Sequence, residues 1–267
     1  MNALRLYWQY LMVSIRAQLQ YRGAFLIAAL GQFLSTGIEF LGIWALFDRF
    51  GHLQDWKLAE VALFYGVVNC AFALADALST GFDQFGAAYV KTGDFDRILL
   101  RPRSTILQLA GHELALRRVG RLAQGMVVLV WAAGSLDVTW NMAHIGLLIF
   151  TIIGGICFFF GLIVLQAILS FWTIESLEIM NVLTYGGLES AQYPLSIYHV
   201  AFRRFFTLVI PLACISYFPI VGVLGIADPL GSPALFQWLS PSVGVGFLLL
   251  ALQLWKMGVR HYTSTGS

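Results

Sequence analysis

Apolar residues fall in long uninterrupted runs, and polar ones gather at the ends of those runs. A helix needs about 20 mostly apolar residues to cross the hydrocarbon of a bilayer. Five runs meet that test: Gly23 to Phe47, Leu58 to Thr80, Val119 to Leu136, His144 to Phe171 and Pro241 to Val259. The last opens on Ser240-Pro241, read as an N-cap followed by proline at the first helical position. Its far end carries Lys256 and Arg260, cations of the sign a helix C-terminus favours.

Between Thr173 and Asp228 two readings stand side by side. A moderately polar helical segment, Ile174 to Ser190, precedes Tyr193-Pro194, and a strongly apolar run, Phe205 to Ile226, follows. Hydropathy selects the second as a crossing. Pro211 and Pro219 interrupt it, however, and backbone freed by proline at membrane depth must be satisfied by surrounding protein, as in re-entrant segments. Either choice gives six crossings.

Charge sets the orientation. With the N-terminus inside, twelve Lys and Arg residues fall on the cytoplasmic side, and only Arg49 and Lys57 fall outside. Arg203 and Arg204 lie inside if Phe205 to Ile226 crosses and outside if it is re-entrant, and both choices obey the positive-inside rule. Residues 1–22 lack the small-residue cleavage site of a leader and predict an interfacial helix instead. Arg5, Gln9, Arg16 and Gln20 share one face, and Tyr7, Trp8 and Tyr10 suit the headgroup level.

The substantial cytoplasmic loop, residues 81–118, holds ten charged residues. Within it Lys91 to Pro102 reads as a turn at Gly93, one or two helical turns, and a stop before Pro102.

Composition narrows the function. The chain is 59% hydrophobic and only 11% charged, with a mean hydropathy of +0.77. Soluble domains average about 25% charged residues, so a soluble enzyme is excluded. A net charge of +2 makes nucleic acid an unsuitable partner. Cys70, Cys157 and Cys214 sit in apolar runs and read as small core residues rather than a disulfide or metal site. The chain has no Gly-Lys pair, hence no P-loop, and no His-x-x-x-His helix or Gly-x-Ser-x-Gly elbow. Any energy for work must come from elsewhere. Glu39 and Asp76 lie within crossings, where an ionisable group is costly and a functional candidate. They keep open a proton-coupled secondary transporter, although no repeated half carries them twice.

The order of parts resembles the membrane subunit of ABC type-2 exporters. The match narrows to a subfamily with Gly-x-x-Asp-x-x-Leu-x-Arg-Pro in the first cytoplasmic loop, here Gly93, Asp96, Leu99, Arg101 and Pro102. Tyr193-Pro194, Ile210-Pro211, Tyr217-Phe218-Pro219 and the terminal Tyr262 to Ser267 add to it. The resemblance implies an all-α integral membrane protein in which residues 1–267 form a single permease domain. Its parts are an interfacial helix over 1–22, a coupling loop over 81–118, six crossings with Ile174 to Ser190 as the fifth, and a re-entrant hairpin over 193–226. It further implies a bacterial inner membrane location with both termini cytoplasmic, a second permease, identical or homologous, and two cytoplasmic ABC ATPase subunits. No cofactor belongs to this chain, and ATP and Mg are bound by the partners. The residues expected to meet the ATPase are Gly93, Asp94, Phe95, Asp96, Arg97, Leu99, Leu100, Arg101 and Pro102, with Phe95, Leu99 and Leu100 as the contacts. Gln32, Thr36, Glu39, Asn69 and Asp76 are candidates to line a path for a hydrophobic or amphipathic cargo moved outward, with packing between helices as the competing role for the first three.

Overall fold

The structure, a computed structural model, describes residues 3–173 and 177–263. Residues 174–176, at the start of the expected fifth crossing, and the Ser264 to Ser267 part of the terminal motif lie outside the described residues. So do the first two residues of the interfacial segment. Among the described residues every regular element is helical.

Helix α1 (Ala3–Leu19) is followed at once by α2 (Arg22–Phe50) and, after a short loop, by α3 (Leu58–Asp83). The sequence of α3 has no polar stripe because none of its faces meets solvent: every residue from Val61 to Ala73 is buried. It packs on α6 (Val119–Ser135) and α7 (Met142–Leu169), and α7 in turn packs on α12 (Ser242–His261). Gly120 lies against the Ala29 carbonyl, and Gly154 and Gly244 lie against each other's helix. A Cβ there would strike backbone, so small residues set these two close crossings. Helix α2 is the opposite of α3, with only 6% of its most apolar window buried and an apolar surface left for lipid or protein.

Among the described residues four helices, α2, α3 with its extension to Val90, α7 and α12, are long and apolar enough to cross a membrane, or five if one bent pair counts as a span. At 17 residues α6 reaches only about 25 Å, and the 15 residues of α8 (Leu177–Ala191) about 22 Å. Helix α7 begins two residues before the expected His144, because the Asn141 side chain accepts a hydrogen bond from the His144 N–H at 2.8 Å and caps the helix.

The apolar run Phe205 to Ile226 is not one continuous helix. Helix α9 (Val200–Arg204) runs on as a π-type turn to Val209, and Ile210 then takes an extended conformation, as residues before proline do. Beyond Pro211 a 3₁₀ turn leads into α10 (Tyr217–Leu224), and the two halves meet at 75°. Pro219 does no damage in the first turn of α10, where N–H groups have no intrahelical partner. Gly225, at φ +64°, ends α10 by donating its N–H to the Val221 carbonyl. Residues 212–221 are all buried, which is the protein cover that broken backbone requires at membrane depth.

Ser240 does not cap α12 with its side chain. Its hydroxyl donates back to Gln237 at 3.1 Å in the preceding helix α11 (Ala234–Leu239), because Pro241 turns the chain before α12 begins.

Candidate coupling loop and intramembrane polar seam

The charged loop over residues 81–118 folds as a compact shelf of short helices. Gly93 takes φ +76°, a left-handed conformation that reverses the chain after Lys91 and Thr92. Thr92 Oγ1 lies 2.7 Å from the Ala88 carbonyl and 3.2 Å from Asp94 Oδ2. Helix α4 (Phe95–Leu99) follows, and α5 (Thr105–Ala110) returns beneath it. Gln108 of α5 donates from Nε2 to the carbonyls of Ile98 and Arg103, at 3.1 and 3.3 Å, and so pins the far end of α4.

Phe95 points inward. It is 0% exposed and its ring lies 4.9 Å from Phe85, 5.0 Å from Tyr262, 5.7 Å from Phe171 and 6.3 Å from Trp255. The expectation that Phe95 is an exposed contact for a partner is therefore corrected: with Ile98 it anchors α4 to the chain at the end of α3, the end of α7 and the last turns of α12. The outward side carries Leu99, 40% exposed, and Leu100, 85% exposed, followed by exposed Arg101 and Pro102. Asp94 and Arg97 form an exposed pair at 3.0 Å. Burial, then the neighbouring Asp96 carboxylate, raises the Tyr262 hydroxyl above its ordinary pKa.

The five path candidates separate into three settings. Gln32 is half-buried, one turn from Thr36. Thr36 is fully buried: its hydroxyl donates to the Gln32 carbonyl at 2.9 Å, and its carbonyl accepts from the Tyr65 hydroxyl at 2.7 Å. Tyr65 also lies 3.2 Å from Gln124 Oε1, which ties α2, α3 and α6 together. Asn69, one turn along α3, donates to the Tyr65 carbonyl at 3.0 Å and faces Gly125 of α6. Glu39 Oε2 and Asn69 Oδ1 are buried with no hydrogen-bond partner among the described residues. Asp76 lies apart, paired with Arg118 Nε at 2.7 Å and largely buried.

Two members of this seam escape sequence reasoning. Arg121, 9% exposed, sits with its guanidinium carbon 5.3 Å from the centre of the Phe72 ring. It interacts electrostatically with Asp76 on one side and Glu189 on the other, and Glu189 also feels Glu39. In sequence, Arg118 and Arg121 register only as cytoplasmic positive charge. Their three-residue spacing, from the residue that precedes α6 to its first turn, was the available signal, because it turns both toward one side.

A family model described as ABC-2 family transporter protein matches residues 33–266 of the chain. Comparison with curated proteins and with solved structures gave no match.

Proposed function

The chain belongs to the ABC-2 transporter family, is an all-α multi-pass membrane protein, and, we propose, serves as the permease subunit of an ATP-driven exporter. In this reading two separate cytoplasmic ABC ATPases bind ATP and Mg and supply the energy. A second permease, identical or homologous, completes the membrane unit, and both termini face the cytoplasm of a bacterial inner membrane. The cargo is hydrophobic or amphipathic and moves outward along the interface between permeases.

The observation that carries the reading is α4, whose leucines Leu99 and Leu100 stand exposed on a charged loop while Phe95 and Ile98 are locked inside. Leucines so placed favour a covering partner. The aromatic joint behind them gives the partner leverage. Trp255 packs 4.9 Å from Phe85 and 5.1 Å from Phe82, and its Nε1 donates to Thr105 Oγ1 at 3.0 Å. A push on α4 is thereby delivered to α3, α7 and α12 together. Close-packed joints of this kind shift between discrete arrangements rather than deforming gradually. ATP binding, which draws the ATPases together, would select one arrangement of the two permeases and hydrolysis the other.

The rival reading, a proton-coupled secondary transporter, is favoured by one observation, the enclosed and unbonded Glu39 Oε2. Asp76 supports it less, since Arg118 already holds that carboxylate.

The test is site-directed crosslinking from Leu100→Cys, in a background without the native cysteines, to subunits in native membranes. A crosslink to a nucleotide-binding subunit, absent when the cysteine replaces exposed Met142 instead, supports the reading. Crosslinking to no such subunit from Leu99→Cys or Leu100→Cys would place the docking surface elsewhere.

A further inference from the structure

We propose that the cavity between α1, the start of α2 and the cytoplasmic loop is a binding site for one anionic phospholipid of the inner leaflet. This goes beyond the exporter reading and rests on it only for the orientation that puts α1 at the inner leaflet. The cavity measures about 850 Å³, within the range of built ligand sites and too large for a small ion.

Its lining combines cationic and apolar surface, as a phospholipid requires. Arg101 and Arg117 of the loop share it with Ala24, Phe25 and Ala28 from the first two turns of α2. Ala28 lies about 6 Å deeper along the helix axis than Ala24. Beside these lining residues α2 also exposes Ile27, Leu30 and Leu34, an apolar surface on which the acyl chains of a lipid held at the arginines can lie.

The charge fits an anion. Neither Arg101 nor Arg117 closes an ion pair among the described residues, and both are exposed. Glu113 is the one carboxylate in the lining, and Arg117 lies in the longer-range field of Asp76 and Asp83, from the cytoplasmic half of α3. Two further arginines flank the lining in sequence, Arg16 before the lining residue Ala17 and Arg22 after the lining residue Tyr21.

The wall is also held in shape. Ser14 Oγ accepts from the Leu114 N–H at 2.9 Å, Gln18 Oε1 accepts from the Leu116 N–H at 3.1 Å, and Gln18 Nε2 donates to the Leu114 carbonyl. These bonds fasten α1 to the loop and leave the space between them open, so a ligand meets a preformed site and sacrifices little order in the protein on binding.

The experiment is native mass spectrometry of the transporter complex extracted in mild detergent and titrated with phosphatidylglycerol, phosphatidylcholine or inorganic phosphate. One phosphatidylglycerol per permease chain should persist at collision energies that strip phosphatidylcholine, with roughly tenfold tighter binding, and millimolar phosphate should not displace it. Arg117→Gln should lower the phosphatidylglycerol affinity about tenfold and leave phosphatidylcholine nearly unchanged. Ala28→Leu, which fills the apolar end at an exposed position, should weaken both lipids, and Val13→Trp on the opposite wall is the independent plug if Ala28→Leu disturbs folding. Equal binding of the two lipids, parent-like affinity in Arg117→Gln, or displacement by phosphate would overturn the proposal.

Discussion

Replacing Phe95 with alanine separates anchor from contact. The side chain is fully buried against four aromatic rings within 6.3 Å, so truncation loses its transfer energy and leaves a cavity bounded by stiff neighbours. Phenylalanine to alanine at such sites costs about 3–5 kcal/mol, and the ring contacts place this site in the upper half of that range. For a chain of this size each kcal/mol moves the melting temperature by about 2–4 °C, so Phe95→Ala should melt roughly 8–20 °C below the parent. Leu100→Ala, at a position 85% exposed, should melt within about 2 °C of it. The assay is thermal unfolding in detergent followed by size-exclusion, run beside capture of the ATPase by the same samples. Leu100→Ala should keep the fold and lose capture, whereas Phe95→Ala should lose both through the fold. A Phe95→Ala protein that melts like the parent yet no longer captures the ATPase would show that Phe95 faces outward and that the anchoring argument is wrong.

Asp76→Asn should destabilise by about 3–5 kcal/mol, because it strands Arg118 beneath the surface. Adding Arg118→Gln should recover part of the loss, and a double-mutant cycle by thermal melting that shows simple additivity would dismiss the pair. In a background lacking Cys70, Cys157 and Cys214, single cysteines at Gln54 and Ser232 should react with an impermeant thiol reagent in intact cells, and one at Thr92 should not. Labelling of His199→Cys supports the re-entrant hairpin, and protection supports Phe205 to Ile226 as the crossing. Burial alone would raise the Asp228 carboxyl, but hydrogen bonds from Ser232, the Leu230 N–H and the Tyr217 hydroxyl outweigh it and hold the group below the ordinary range. Its contribution to stability is therefore complete above the ordinary carboxylate value, about 3.9, and is lost as pH falls through the lower folded value. The parent's melting temperature should drop more steeply below about pH 4 than that of Asp228→Asn, and parallel curves would remove Asp228 from the account.

Long helices were legible in the sequence because burial in lipid or in protein leaves the same mark, an unbroken apolar run. That same ambiguity hid the difference between α3, enclosed by its neighbours, and α2, almost bare on its apolar face. The bend at Pro211 was foreseeable, since proline lacks an N–H and restricts the residue before it. Which way α4 turns its residues was not: five residues make too short a period to reveal an inner face, and the rings that enclose Phe95 come from as far along the chain as Tyr262. The pairing of Asp76 with Arg118 and the fastening of α1 through Ser14 and Gln18 likewise join positions remote in sequence. Only the packing of α3 on α6, and of α1 on the loop, puts them in reach.

The most direct measurement is purification of the tagged chain from its native membrane, with identification of every bound subunit and assay of ATP hydrolysis by the isolated complex. The expected result is a separate P-loop ATPase in equal number with the permease and hydrolysis that follows it, both lost in a variant carrying Leu99→Ala and Leu100→Ala that still inserts and melts normally. A chain that comes out with no nucleotide-binding subunit, and that alone in liposomes carries protons down their gradient until Glu39→Gln abolishes it, would contradict the ATP-driven reading.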